Sequence, residues 1–189
     1  RNFYTRKYLS TMMPGVIRAR LEEAKRVNVN TLTQGLDVDE GYIREVLDNI
    51  AERSPTDPKI YYKRGTIDLI LSTLDRENIV DIGSLSKSTN VLTRDIRKVL
   101  ADKAIIHADK AYKTTYVKAR IGDILSAQGY INIEDASRAT GIPKYVLTEV
   151  IEREYGMLVR SPSGRNFYTR KYLSTMMPGV IRARLEEAK

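Results

Sequence analysis

Three stretches of the chain repeat one order of features at a spacing of about fifty residues. Each begins with two apolar residues separated by one polar residue, an alternation typical of a short β-strand with one buried face. The second pair follows the first by 53 residues and the third follows the second by 51: Val27 and Val29, Val80 and Ile82, Ile131 and Ile133. This period predicts one small structural unit that is built three times.

The residues around each pair predict a winged helix. A stretch with apolar residues at helical spacing precedes each pair, at 13–25, 66–78 and 118–129. A turn and a second helical stretch follow it, which is the order of a helix–turn–helix; the turns contain Gly35-Leu36, Thr89-Asn90 and Gly141-Ile142-Pro143. A tyrosine-rich segment with turn residues then predicts a β-hairpin, the wing. The predicted fold class is mainly α with small β-hairpins (α+β), as tandem winged-helix repeats.

The last twenty-five residues, 165–189, repeat residues 1–25 letter for letter. Identity over this length indicates a recent or engineered duplication, or a piece of a longer periodic array. Within the string, RNFYTR predicts the second strand of a wing, and MPGVIRARLEEAK predicts the first helix of the next unit, with a proline suited to a helix start. We therefore expect an orphan wing strand at 1–11, winged helices at 12–64, 65–117 and 118–170, and an orphan first helix at 171–189.

The two orphan segments bear on self-association. The final helix, at about 178–189, would have an apolar face formed by Val180, Ile181 and Leu185 without the two helices that cover such a face. It would pack on the third unit or on another chain, or fray. Because either copy of the string could complete the same unit, chains could also associate head to tail.

Composition places the chain among soluble globular proteins. Of its 189 residues, 30% are charged and 42% are hydrophobic, and the second copy of the string supplies about half of the formal net charge of +8. No apolar stretch approaches the roughly 20 residues that a membrane span needs, and no secretory leader is recognisable. The chain has no cysteine, which excludes disulfides, thiolate metal sites and thioester-forming nucleophiles. We expect a cytoplasmic protein.

The sequence offers no catalytic centre. It has no glycine-rich phosphate-binding motif and no cluster of metal ligands, so neither a cofactor nor a metal is predicted. His107 is the only histidine, and its place in a predicted wing strand favours a structural or solvated role. No residue is therefore predicted to be catalytic.

The charge of the recognition helices bears on DNA binding, because the second helix of a helix–turn–helix can enter the major groove. The predicted helices at 38–53 and 142–154 carry net charges of −3 and −1, and only the one at 89–103 is basic. An acidic helix loses the counterion release that supplies most non-specific affinity for DNA. Arg94, Arg97 and Lys98 are therefore the candidate DNA contacts, unless they form an ordinary solvated helix face.

Tyrosines in the predicted wings are candidate contacts for a protein partner, because tyrosine combines a large apolar area with a polar tip. The alternative for at least half of them is packing across the strands of the hairpins. The candidates are Tyr61, Tyr62, Tyr112, Tyr116 and Tyr168.

Two segments carry a resemblance to a known family. The run ARIGDILSAQGYINIEDASRATGIPKYVLTEVIE, followed by FYTRKYLSTMMPGVIRARLEEAKRVNVNTLTQGLDVDEGYIREVLDNI, resembles the tandem winged-helix region of the ligase family that attaches the ubiquitin-fold modifier UFM. ENIVDIGSLSKSTNVLTRDIRKVL is similar to the unit that precedes this region in the family. The family's N-terminal helix that binds the conjugating enzyme, and its long C-terminal helical region, are not identifiable here.

The resemblance implies a scaffold-type ligase component without a catalytic nucleophile of its own. Members of the family hold the modifier-charged conjugating enzyme close to the substrate, so that catalysis works by proximity. They also pair with an adaptor of the DDRGK type, each chain contributing part of a shared winged helix. The orphan wing strand and the orphan first helix at the two ends are the incomplete parts that this chain would contribute to such a shared winged helix. The alternative is a winged-helix DNA-binding transcriptional regulator that uses residues 89–103.

Overall fold

The computed structural model of the protein describes residues 4–180. The chain splits into two compact units: the first comprises Arg1–Asp102 with Ala108–Ala111, and the second Lys103–His107 with Tyr112–Lys189. Most of the predicted final helix and the first residues of the predicted orphan wing strand lie outside the described residues. The domain boundaries 12–64, 65–117 and 118–170 stay a prediction.

The first compact unit contains two successive helix–strand–helix–turn–helix arrangements. Its first part runs α1 (Arg6–Thr11), α2 (Met13–Ala24), β1 (Arg26–Asn28), α3 (Val29–Leu36), α4 (Glu40–Ile50), β2 (Ala51–Arg53) and β3 (Ile60–Lys63). Its second part runs α5 (Thr66–Glu77), β4 (Ile79–Asp81), α6 (Ile82–Thr89) and α7 (Thr93–Leu100).

The remaining elements repeat the same order. They are β5 (Ala104–His107), β6 (Lys110–Lys113), α8 (Thr114–Gln128), β7 (Tyr130–Asn132), α9 (Ile133–Thr140), α10 (Lys144–Glu154), β8 (Val159–Arg160), β9 (Asn166–Tyr168) and α11 (Arg170–Thr175). The strands form three small sheets in the orders β1-β3-β2, β4-β6-β5 and β7-β9-β8, so that the second wing strand is always central. This arrangement confirms the predicted fold class, mainly α with small sheets in a winged-helix order.

Polar side chains set the starts of the helices that follow each short strand. Asn28, Asp81 and Asn132 each cap a helix, accepting hydrogen bonds from backbone amides of its first turn. Residues with left-handed backbone end the same three helices, and these are Asp37, Asn90 and Gly141. The turn predicted at Gly35-Leu36 is therefore wrong by two residues: both lie inside α3, and Asp37 makes the turn.

The predicted strands and helices also differ in length from the observed ones. The second residue of each apolar pair, such as Val29, already belongs to a helix, because the capping residue between the pair ends the strand. Val27 and Val29 are nevertheless both buried in the core that α2, α3 and α4 share. The helix predicted at 118–129 begins earlier, at Thr114.

The duplicated string gives the same helix start in both copies. Thr5 and Thr169 cap the short helices α1 and α11, each hydroxyl oxygen accepting from the amide of the tyrosine three residues later. Helix α1 corrects the prediction of an orphan wing strand over all of 1–11, because residues 6–11 are helical. In the second copy Asn166–Tyr168 forms the central strand β9, as the parsing of RNFYTR predicted.

Candidate protein-interaction surfaces

The first wing, defined as β2, β3 and residues 54–59 between them, packs against the start of α7. The carboxylate of Asp95 on α7 is fully buried and accepts hydrogen bonds from three hydroxyl groups of this wing. Ser54 Oγ donates to Asp95 Oδ2 at 2.6 Å, and the hydroxyls of Thr56 and Tyr62 donate to the same carboxylate. Three donors on one carboxylate compensate for its loss of water. We call these four residues the Asp95 cluster.

Two further contacts surround the Asp95 cluster. The Leu92 amide donates to the Tyr62 hydroxyl at 3.3 Å, and Arg94 pairs with Asp57 of the wing at 3.0 Å. The hydrogen bond from the Lys59 amide and the Arg94 guanidinium both hold the pKa of Asp57 below its usual value. The first turn of α7 is therefore covered by protein on the side that faces the first wing.

Burial, and next the hydrogen bond to Asp95, raise the pKa of Tyr62 to about 12. An unfolded chain loses this proton near pH 10, so the folded state is favoured fully below pH 10, and the advantage disappears between pH 10 and pH 12. We expect the free energy of unfolding of Tyr62→Phe to fall less steeply over this window than that of the unchanged chain. Urea denaturation at several alkaline pH values measures it, and parallel slopes would contradict the expectation.

The structure corrects the prediction that Tyr61, Tyr62 and Tyr112 contact a partner, because all three are buried. The Tyr61 hydroxyl donates to Asp48 at 2.7 Å and accepts from Arg53 Nε at 3.2 Å. The Tyr61 hydrogen bond lowers the pKa of Asp48, helped by Arg53. Burial raises the pKa of Tyr112. Tyr61 lies in the core that α2, α3 and α4 share, and Tyr62 packs against α7, so packing across the hairpin strands does not describe these two residues either.

The other two candidate tyrosines keep part of their surface. Tyr116 at the start of α8 is half-buried, and the Arg120 guanidinium lies 5.2 Å from its ring centroid. Tyr168 in β9 is half-buried between Tyr130 and Tyr172, with ring centroids 6.0 Å and 5.8 Å away. A partner contact at Tyr116 or Tyr168 stays a prediction.

The candidate DNA contacts on α7 are not equally available. Arg97 is half-buried and donates to the Ala108 carbonyl and to Asp109, each at 2.9 Å. With Arg94 paired to Asp57, two of the three cations have carboxylate partners in the chain. Lys98 is exposed and has no recorded partner among residues 4–180. DNA contact through this helix stays a prediction that rests mainly on Lys98.

In the second compact unit, β5 packs against α10. The His107 ring stacks on the ring of Tyr145, with centroids 5.3 Å apart, although Tyr145 is 59% exposed. The expected structural role of His107 agrees with this contact. Helix α10 thus contacts a strand of the preceding wing, as α7 does in the first unit.

Sequence reasoning missed Ser54, Thr56 and the buried role of Asp95. It counted Asp95 as one of the charges on a solvated helix, whereas the fold removes this carboxylate from water. The run Arg53-Ser54-Pro55-Thr56 was a usable signal. It places two hydroxyl residues at the start of the wing loop, where they can donate to a carboxylate of a neighbouring element.

Residues 4–180 contain no cluster of side chains that could hold a metal ion. Within the same residues, no helix has the length and apolar character needed to cross a membrane.

No family model and no curated protein matches the chain. A crystal structure of the bacterial selenocysteine-specific elongation factor EF-Sec aligns with 88% of this chain and 31% of its own length, at 14% identity and a TM-score of 0.43. The mRNA-binding domain of elongation factor SelB from E. coli, in complex with SECIS RNA, aligns with 57% of this chain and 98% of its own length, at 16% identity and a TM-score of 0.40. This chain thus spans about a third of the EF-Sec chain, and likenesses this distant carry no argument about its function.

Proposed function

We propose that the chain is a protein-binding scaffold, and that it serves as a non-catalytic part of a UFM ligase. It would bind the modifier-conjugating enzyme and an adaptor of the DDRGK type. The resemblance of residues 119–152 and of the stretch from Phe3 to Ile50 to that family's winged-helix region supports the ligase assignment.

One observation carries the protein-binding part of the proposal: the first turn of α7 is occupied by the first wing, which buries Asp95. A recognition helix that reads DNA presents its N-terminal residues to base edges. Here Arg94 in that turn is engaged by Asp57. The other two recognition helices are acidic overall, with net charges of −2 for α4 and −1 for α10 counted from their residues. These features favour contacts with protein over contacts with phosphate.

The test is a pull-down of the UFM-conjugating enzyme and the DDRGK-type adaptor by the full chain, beside a gel-shift assay with a random DNA duplex at low salt. We expect protein capture that changes little between low and physiological salt, and no duplex shift. Capture of neither protein would overturn the ligase assignment.

The DNA alternative has a distinct result. It requires that the chain retards the DNA duplex in the gel and that this binding weakens steeply with salt, because phosphate contacts release counterions. Lys98→Glu should abolish the binding, because it replaces a phosphate contact by a negative charge. Lys171→Glu is the matched control, since Lys171 is also exposed but lies on α11. A shift that both variants reduce equally would indicate non-specific attraction to a basic chain and count against the alternative.

A further inference from the structure

The third wing repeats the sequence that binds Asp95 in the first wing. We define the third wing as β8, β9 and residues 161–165 between them. Its run Arg160-Ser161-Pro162-Ser163 matches Arg53-Ser54-Pro55-Thr56, with serine in place of threonine at the last position. The match lies at the same point of the hairpin, because both runs begin at the last residue of the outer strand.

Strand register extends the match to the tyrosine. Arg53 pairs with Tyr61 in the first sheet, and Arg160 pairs with Phe167 in the third. The next residue along the central strand is Tyr62 in the first wing and Tyr168 in the third. Ser161, Ser163 and Tyr168 therefore occupy the positions of the three hydroxyl residues that donate to Asp95.

The start of the loop is also built in the same way. The Ser54 amide donates to the Ile60 carbonyl at 2.9 Å, and the Ser161 amide donates to the Asn166 carbonyl at 2.9 Å. The third wing is one residue shorter, and Gly164, with a φ of 71°, makes its turn. The serine side chains thus leave the hairpin from equivalent backbone positions.

What differs is the acceptor. In the third wing Ser161 Oγ and Ser163 Oγ lie 3.1 Å from each other, and no carboxylate among residues 4–180 bonds to either. The Tyr168 hydroxyl likewise has no recorded hydrogen-bond partner in the described part of the chain. Two apolar residues beside them are open to solvent: Met157 is 82% exposed and Val159 is 43% exposed. Exposed apolar side chains beside hydroxyl groups that lack a carboxylate acceptor are features that a docking surface would have.

Charge indicates what would bind there. Arg165, Arg170 and Lys171 are exposed around the third wing, and Arg160 pairs with Glu152 at 2.9 Å. A local excess of positive charge favours an acidic segment.

The chain's own recognition helices show why a different protein is favoured over a second copy. The buried apolar residues of the three helices and of the turns before them have the same spacing, so the helices can be aligned. They are Val38, Ile43 and Leu47 for α4; Val91, Ile96 and Leu100 for α7; and Ile142, Leu147 and Ile151 for α10. In this alignment Tyr42 and Val146 stand where α7 has Asp95. At this position neither α4 nor α10 has a carboxylate, and Asp95 of α7 is already buried beneath the first wing.

We propose that the third wing binds a helix of another protein that carries Asp or Glu as its third residue, the position of Asp95 in α7. Ser161, Ser163 and Tyr168 donate to that carboxylate, as their counterparts donate to Asp95, and Met157 and Val159 contact the apolar residues beside it. The inference rests on the proposed protein-binding function. It assigns that function to the third wing and gives the partner segment as a helix that carries a carboxylate.

The test uses the full chain and a synthetic peptide with the sequence of residues 90–101, held helical by a hydrocarbon staple that replaces the side chains of Arg94 and Lys98. A second peptide has Asp95→Asn. In an NMR titration we expect amide shifts at residues 157–168 with the first peptide. Affinity should be at least about tenfold weaker with the second, because hydrogen bonds to a charged acceptor are the stronger ones.

Variants of the chain complete the design. Ser161→Ala/Ser163→Ala should weaken binding of the Asp95 peptide about tenfold or more. Ser72→Ala/Ser174→Ala, which removes two exposed serines on helices α5 and α11, should leave the affinity unchanged.

Three results would overturn the proposal. The first is a set of amide shifts outside residues 157–168, and the second is equal affinity for the two peptides. The third is a sedimentation coefficient that rises with the concentration of the chain, with this rise absent in Ser161→Ala/Ser163→Ala. That result would assign the surface to a second copy. A chain that binds the peptide here but captures no conjugating enzyme retains this inference and loses the ligase assignment.

Discussion

Replacing Asp95 by alanine is expected to lower the free energy of unfolding by about 3–4 kcal/mol. The change removes the acceptor of three hydroxyl groups, of which those of Ser54 and Tyr62 belong to buried residues, and leaves these O–H donors without an acceptor away from water. Urea denaturation gives the loss, and hydrogen exchange should locate the loss of protection in the first wing and α7.

The control for this result is Asp102→Ala, just after α7, where the carboxylate is exposed. It should change the free energy of unfolding by less than about 0.5 kcal/mol. A further variant replaces the Asp95 cluster as a whole, with Asp95→Leu, Ser54→Ala, Thr56→Val and Tyr62→Phe. It should be clearly more stable than Asp95→Ala, because the three hydroxyl donors are removed together with their charged acceptor. Equal stability of Asp95→Ala and Asp102→Ala would mean that the cluster does not hold the wing to the helix.

The duplicated string provides a second large effect with an internal control. Met13 and Met177 have the same neighbours in sequence for at least eleven residues on either side. Met13 is only 2% exposed and lies in the core with Ile17 and Leu21, whereas Met177 is partly exposed. We expect Met13→Ala to lower the free energy of unfolding by about 2–4 kcal/mol through the cavity that it leaves.

Met177→Ala should lower the free energy of unfolding by less than about 1 kcal/mol, because less of its side chain is removed from water. The intrinsic helix propensities of the two sites are the same, so the difference between the two variants measures tertiary packing alone. Both are read from the same urea denaturation experiment. Equal losses would show that the second copy packs as tightly as the first.

The sequence was informative where local physics decides the structure. The pairs Val27 and Val29, or Ile131 and Ile133, predicted a short strand before each helix–turn–helix and the burial of both residues, although the second residue already belongs to the helix. It was less informative where tertiary contacts decide. The helix α1 depends on a single threonine cap, and a helix of six residues has little intrinsic stability.

The candidate site depended even more on tertiary contacts. The sequence made Tyr61 and Tyr62 candidates for partner contact, with packing across the hairpin strands as the alternative. The structure buries both: Tyr61 lies in the core that α2, α3 and α4 share, and α7 covers Tyr62. The burial of Asp95 has the same origin: its donors lie 33 to 41 residues away in the chain. No local pattern brings such groups together.

The Asp95 cluster also bears on how a chain of similar repeats avoids joining its parts in the wrong order. Tyr42, Asp95 and Val146 stand at one equivalent helix position and offer a phenol, a carboxylate and an aliphatic group. If the hairpin that carries Ser54 were seated on the helix of Val146, its hydroxyls would have no acceptor, and Asp95 would have to give up water without compensation elsewhere. Seating the first wing on the helix of Val146, one form of the misassembly that is characteristic of repeat proteins, is thereby penalised during folding.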